Sequence, residues 1–194
     1  YLDRAAQLLG EAHYLYPVLM SRKKIFEGFI LSLENRNYND PAQGEKILQC
    51  YKQALLYQPE SPLALFWISR VYVHNIVQLD SAELYVKKAM EQAPTWVFPA
   101  GEFAFVLTNR FRQFERARQW LDVGVQIDSS SAYLQNQYGI WYAMQGNLPQ
   151  ALALFRKAVA IDSSNSWFRS SLAHAYQMMG LYDEAEDSYL KAVE

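Results

Sequence analysis

Apolar positions along this chain recur every three or four residues over stretches of a dozen or more, and period-two alternation is nowhere sustained. That spacing gathers apolar side chains into one stripe of a helix. It predicts an all-α chain without sheet. The clearest stripe has the form small-x3-large-x2-small. It reads Ala185, Tyr189, Ala192 near the C-terminus and Ala151, Phe155, Ala158 a step of 34 residues earlier. Further back it returns as Ala117/Leu121/Gly124, Ala82/Val86/Ala89, Ile47/Tyr51/Ala54 and Ala5/Leu9/Ala12, at steps of 34, 35, 35 and 42. A second helix keeps the same register. Its small residue is Ala173, Gly139, Ala104, Ser69 or Gly28, and three positions on stand Tyr176, Tyr142, Leu107, Tyr72 and Leu31.

Each unit therefore reads as two antiparallel helices whose small residues admit a close partner. Turn chemistry agrees. Gly146-Asn147 and Gly180 fall where a helix ends in a left-handed residue, and Pro149 falls in a first turn. Asp80-Ser81 and Asp183 read as N-caps. Pro17, Pro59, Pro94, Asp128-Ser129 and Asp162-Ser163 delimit the units. The extra residue of the 35-residue units lies between Ser69 and Ala82 and between Ala104 and Ala117, in the turn. The 42-residue unit carries its excess in 35–45. This predicts eleven helices: one over about 2–15, closed by Pro17, then five pairs.

These landmarks resemble the tetratricopeptide-repeat family over essentially the whole length. The resemblance implies a right-handed α-solenoid of helix-turn-helix hairpins in a single array. Its parts are a truncated repeat (1–17), a long repeat (18–59), repeats at 60–94, 95–129 and 130–163, and a last one truncated at its end (164–194). It also implies a concave groove lined by the first helix of each hairpin. Carried onto this sequence, the groove residues are Phe66, Arg70, His74, Phe98, Phe105, Asn109, Tyr133, Asn136, Ile140, Trp167, His174 and Gln177. The implied function is a protein–protein interaction scaffold holding a peptide segment or partner domain, with aromatic anchors beside amides that pair with backbone. The blander reading is that several of these aromatics are core. Relatives that grip acidic chaperone C-termini use a Lys/Asn/Lys/Arg clamp. Arg70, Asn109 and Asn136 without a lysine argue against that ligand.

Composition narrows the field. Lys+Arg 18 against Asp+Glu 20 gives a net charge of -2, so no basic field favours nucleic acid. Cys50 stands alone, which excludes a disulfide framework and a cysteine zinc site and suits a reducing, cytoplasmic setting. The longest apolar runs, such as Phe103–Leu107 and Leu63–Ile68, are far short of the roughly 20 residues of a membrane span. The chain opens at Tyr1 inside a helical pattern, so it reads as a piece of a longer protein. His13, His74 and His174 lack a histidine at i+4. The cluster Asp183, Glu184, Glu186, Asp187 suits a helix first turn, and Arg110, Arg112, Arg116 and Arg118 read as a solvated edge or a domain contact. With no phosphate loop or nucleophile elbow, neither an enzyme nor a cofactor or metal protein is indicated. The alternative is a regulatory or sensory arm of a larger enzyme or transcriptional regulator. It would work by intramolecular contacts or by homo-oligomerisation through open array ends.

Overall fold

The computed structural model describes the backbone of residues 2–34 and 40–193, with side chains from 15 onward in the first segment. Among these residues there are ten α-helices and one π-helical turn. Helix α1 spans Leu2–Glu34, α2 Pro41–Tyr57, α3 Pro62–Val71 and α4 Leu79–Gln92, with the π turn at Tyr72–Ile76. Helices α5 (Phe98–Asn109), α6 (Phe114–Ile127), α7 (Ala132–Met144), α8 (Leu148–Ile161), α9 (Ser166–Met178) and α10 (Tyr182–Val193) follow. The chain divides into two compact units, Tyr1–Ala93 and Pro94–Glu194.

In the first unit α1 packs on α2, α2 on α3 and α3 on α4. Its core holds Ile25, Ile47, Leu48, Tyr51, Ala54, Ala64, Ile68 and Val71. In the second unit α5 pairs with α6, α7 with α8 and α9 with α10. Phe155 there sits among Ala151, Leu152, Leu172, Ala175, Tyr176 and Ala185.

The repeat landmarks are the buried positions. Ile47, Ala82, Ala117 and Ala151 are fully enclosed, and Ala185 nearly so. Tyr51, Val86, Leu121 and Phe155 are buried too, whereas Tyr189 on the last helix is exposed. Helices approach most closely at glycine. A Cβ on Gly28 would lie 2.6 Å from the Tyr51 ring, and one on Gly139 2.5 Å from the Phe155 ring. No carbon tolerates such distances, so these large rings require a glycine opposite. Where the large residue is Leu121 or Val86, the small one is Ala104 or Ser69.

Among the described residues four hairpin turns are closed by a backbone hydrogen bond to the same landmark carbonyl. The amides of Asn147 and Leu181 donate to Tyr142 and Tyr176 at 3.0 Å, and those of Gln78 and Gln113 donate to Tyr72 and Leu107 at 2.9 Å. The second pair reaches one residue further back, and that is the extra residue of the 35-residue units. At Tyr72–Ile76 the helix widens into a π turn to hold it. All four turns place one residue at positive φ: Gly146 at 79°, Gly180 at 77°, Val77 at 60° and Arg112 at 55°. Glycine adopts this freely, but a β-branched valine does so only under strain.

Two expectations need correction. No helix ends at Pro17: α1 runs through it without a break. Thus the predicted helix over 2–15 and the first helix of the next pair are one, and ten α-helices replace eleven. Three of the later junctions between hairpins carry side chains that cap the next helix, Ser61, Ser131 and Asn165, whereas α5 begins after Val97 without one. Residues 14–20 offer no such group, so the chain keeps its helix and accepts the missing proline N–H. Second, the caps differ from those expected. Asp80 and Asp183 lie within the first turns of α4 and α10, and α7 and α9 are capped by Ser131 and Asn165. Of the expected 35–45 insertion, residues 35–39 fall outside the described residues. From there Asp40 caps α2 through the amides of Ala42 and Gln43.

Two outcomes test this packing. Gly139→Ala is expected to lose about 1–2 kcal/mol, as overpacking by roughly 1–3 kcal/mol outweighs the gain of about 1 in helix propensity. Adding Phe155→Leu, which recreates the Ala104/Leu121 pairing, should make the double variant more stable than the two single losses predict. Urea unfolding of the four proteins measures this, and strict additivity would refute the size exchange. Separately, Val77→Gly should raise stability by up to about 1 kcal/mol by relieving left-handed strain. A lower melting temperature would contradict this.

Candidate functional site

In the second unit the first helices of three successive hairpins, α5, α7 and α9, bring one aromatic series together. Phe98 and Tyr133 have ring centroids 4.9 Å apart, Tyr133 and Trp167 5.9 Å, and Phe105 and Trp167 6.5 Å. The Tyr133 ring lies across Gly101, where any Cβ would collide with it. Trp96 extends the series, stacked on Phe98 at 6.4 Å. Beside it lies a cavity of about 260 Å³ walled by Phe105, Asn109, Ile140, Ala143, Met144, Phe155, Ser171, His174, Ala175 and Met178. The Asn109 amide nitrogen donates to the Phe105 carbonyl at 2.9 Å. That bond fixes the side chain and leaves its oxygen as an acceptor at the cavity.

The first unit holds its own cavity of about 370 Å³, with Phe29, Ser32, Tyr51, Trp67, Arg70, His74 and Asn75 among its walls. Trp67 stacks on Tyr51 at 6.0 Å, and the Arg70 guanidinium lies 5.3 Å from the Trp67 centroid, a cation–π distance. The π turn carries His74 and Asn75 to this cavity. The Tyr51 hydroxyl is buried without a partner of hydrogen-bonding geometry. Burial pushes its phenol well above the ordinary tyrosine range, against a downward pull from Arg70.

The expected groove residues divide into three groups. Phe98, Phe105, Asn109, Tyr133, Ile140, Trp167 and His174 come together on α5, α7 and α9, with Gln177 exposed one turn further along α9. Arg70 and His74 line the first unit's cavity. Phe66 and Asn136 are buried, at 4% and 0% exposure, and offer no surface. Phe66 is tilted against Trp67 at 5.8 Å. Helix α7 is enclosed by α5, α6 and α8, so Asn136 lies inside, with neither amide atom hydrogen-bonded. Trp67 was not anticipated, although its i, i+3 spacing to Arg70 is the readable sign of a ring under a cation.

Other chemistry is spare. Cys50 is half-buried, and its thiol is pushed up by burial and by Glu27, the reverse of a nucleophile's needs. Of the basic cluster, Arg118 pairs with Asp122 at 3.7 Å. Asp122 also accepts from the Tyr138 hydroxyl, whose pKa is raised by burial and by that bond. The side chain of His13 lies outside those described. Among the described residues no three His, Cys, Asp or Glu gather to hold a metal ion, and no helix is long and apolar enough to cross a membrane.

Comparison with known proteins places the architecture. Residues 142–193 match the tetratricopeptide repeat family. The chain is similar in structure to TTC0263, a thermophilic protein of that repeat class from Thermus thermophilus. Identity is 24%, the TM-score 0.67, and the match covers 89% of this chain and 90% of that one. Likeness to pilF of Pseudomonas aeruginosa covers 91% and 77% of the two chains at 16% identity and a TM-score of 0.67. A tetratricopeptide repeat protein of Parabacteroides merdae matches over 95% and 67% at 16% identity and 0.62. No curated protein matches the chain.

The Tyr51 phenol gives a pH signature. Its folded pKa lies above the unfolded value, so the unfolded chain releases this proton first and stability falls as pH rises past about 10. Tyr51→Phe should fall less steeply there. At pH 7 it should be as stable as the parent or up to about 1 kcal/mol more so, since a partnerless hydroxyl is removed. Urea titrations at pH 7, 9 and 10.5 would show this, and a loss above 1 kcal/mol at pH 7 would contradict it.

Proposed function

This chain is built on the tetratricopeptide-repeat fold, and we propose that it works as a protein–protein interaction scaffold. In this reading the face formed by α5, α7 and α9 holds a peptide segment or partner domain. The observation that carries the reading is the aromatic series Phe98–Tyr133–Trp167–Phe105 beside the 260 Å³ cavity. Rigid rings supply contact area at little entropic cost. The Asn109 oxygen and the exposed His174 and Gln177 supply polar groups for a peptide backbone. The cavity suits one apolar side chain of the bound segment.

A second reading has support at the other end of the unit. On α10, Tyr182, Leu190 and Val193 are 70%, 57% and 85% exposed, along a concavity also lined by Tyr189. An apolar face of this kind suits a regulatory arm packed on another domain or on a second copy.

Peptides selected on the wild-type chain from a random display library separate the two. The groove reading expects Phe105→Ala/His174→Ala to weaken them roughly thirtyfold, as loss of a hot-spot aromatic costs about 2 kcal/mol, with helicity by circular dichroism unchanged. Affinity untouched by these substitutions but lost on Leu190→Ser/Val193→Ser would favour the second reading.

A further inference from the structure

Helix α1 has two faces. Ser21, Ile25 and Gly28 are buried on the side toward α2. On the opposite side Leu15, Leu19, Phe26, Ile30 and Leu33 are exposed, three of them by 60% or more: Leu19 60%, Phe26 63% and Leu33 64%. At about 100° per residue these five fall within roughly 60° of one another, and the stripe runs about 27 Å along the helix. It lies on a helix that passes unbroken through Pro17. In α2 to α3, α6 to α7 and α8 to α9, each first helix of a hairpin is packed by the helix before it. The part of α1 after Pro17 is one helix with the part before it, and this face stays exposed among the described residues.

The charges on the stripe say what kind of surface covers it. Arg22 and Lys23 stand midway along it, one at each edge, and both are exposed. Among the described residues neither takes part in an ion pair, whereas the next cation, Lys24, is tied to Glu27 at 2.7 Å. No carboxylate lies within the stripe.

We propose that this face of α1 docks an amphipathic helix of a partner protein, one whose apolar seam is flanked on both edges by carboxylates opposite Arg22 and Lys23. This face is built from residues of the first unit and the α5/α7/α9 face from residues of the second, so different substitutions test the two proposals. Charge complementarity selects this occupant over its rivals. In a two-fold pairing of the stripe with a second copy, parallel or antiparallel, four cations would meet at the centre, and like charges there oppose association. An anionic membrane surface is typically read by four to eight clustered cations, and this face offers two.

Two synthetic 21-residue helices serve as probes, both with leucine at heptad a and d. One carries glutamate at e and g, the other lysine. Titrated calorimetrically against the whole 194-residue chain, the glutamate-edged helix is expected to bind at least about tenfold tighter, with an affinity that falls as salt rises. Arg22→Glu/Lys23→Glu should reverse the preference, and Leu19→Ser/Phe26→Ser should abolish binding of both, with circular dichroism unchanged in each variant. Equal binding of the two probes, or binding of neither, would overturn the proposal. So would a dimer in light scattering that Phe26→Ser dissolves, or capture of the chain by phosphatidylserine vesicles that bind it in preference to the glutamate-edged helix.

Discussion

The structure depends on how closely two helices of a pair can approach. A glycine on the first helix lets a Tyr or Phe ring of the second lie directly on its backbone, as at Gly28 with Tyr51 and Gly139 with Phe155. At the equivalent positions of two other pairs Ala104 accompanies Leu121 and Ser69 accompanies Val86, while in the last pair Ala173 accompanies Tyr189, whose ring is exposed instead of packed on the backbone. In the buried pairs volume is exchanged between the two sides, so the pairs differ in sequence while each fills its space. Apart from Tyr189, every one of these residues is buried. The helix pair is thus set by packing, and the turn only has to close the distance that packing leaves.

That order of causes explains the turns. In the four described turns the closing bond ends on the same carbonyl, whether four or five residues intervene. The longer version is absorbed by a π turn at Tyr72–Ile76 and by non-glycine residues forced to positive φ at Val77 and Arg112. A valine in that conformation costs free energy, and the helix pair it connects is strong enough to hold it there. The same π turn brings His74 and Asn75 to the cavity beside Arg70 and Trp67, so a feature of closure also shapes a surface.

Much of this was legible in the sequence. Small and large residues at fixed spacing mark buried helix faces because burial leaves few side chains that fit. Gly146 and Gly180 mark turns because few other residues adopt positive φ without cost. The failures have equally local causes. Pro17 reads as a stop by its own chemistry, but three of the later junctions that turn also offer a capping side chain downstream, and residues 14–20 have none. The aromatic series of α5, α7 and α9 follows from repeat positions, because equivalent residues of stacked hairpins face the same way. Phe66 and Asn136 occupy such positions and are nevertheless buried. Whether a helix face is open or covered depends on neighbouring helices, which spacing within one helix does not encode.

The most direct test of the helix-pair account is the proximity of glycine backbone to aromatic ring in solution. Nuclear Overhauser contacts should join the Hα protons of Gly28 to the ring of Tyr51 and those of Gly139 to the ring of Phe155, with the glycine protons shifted upfield by the rings. Their absence from the spectrum of a folded, helical chain would contradict the account.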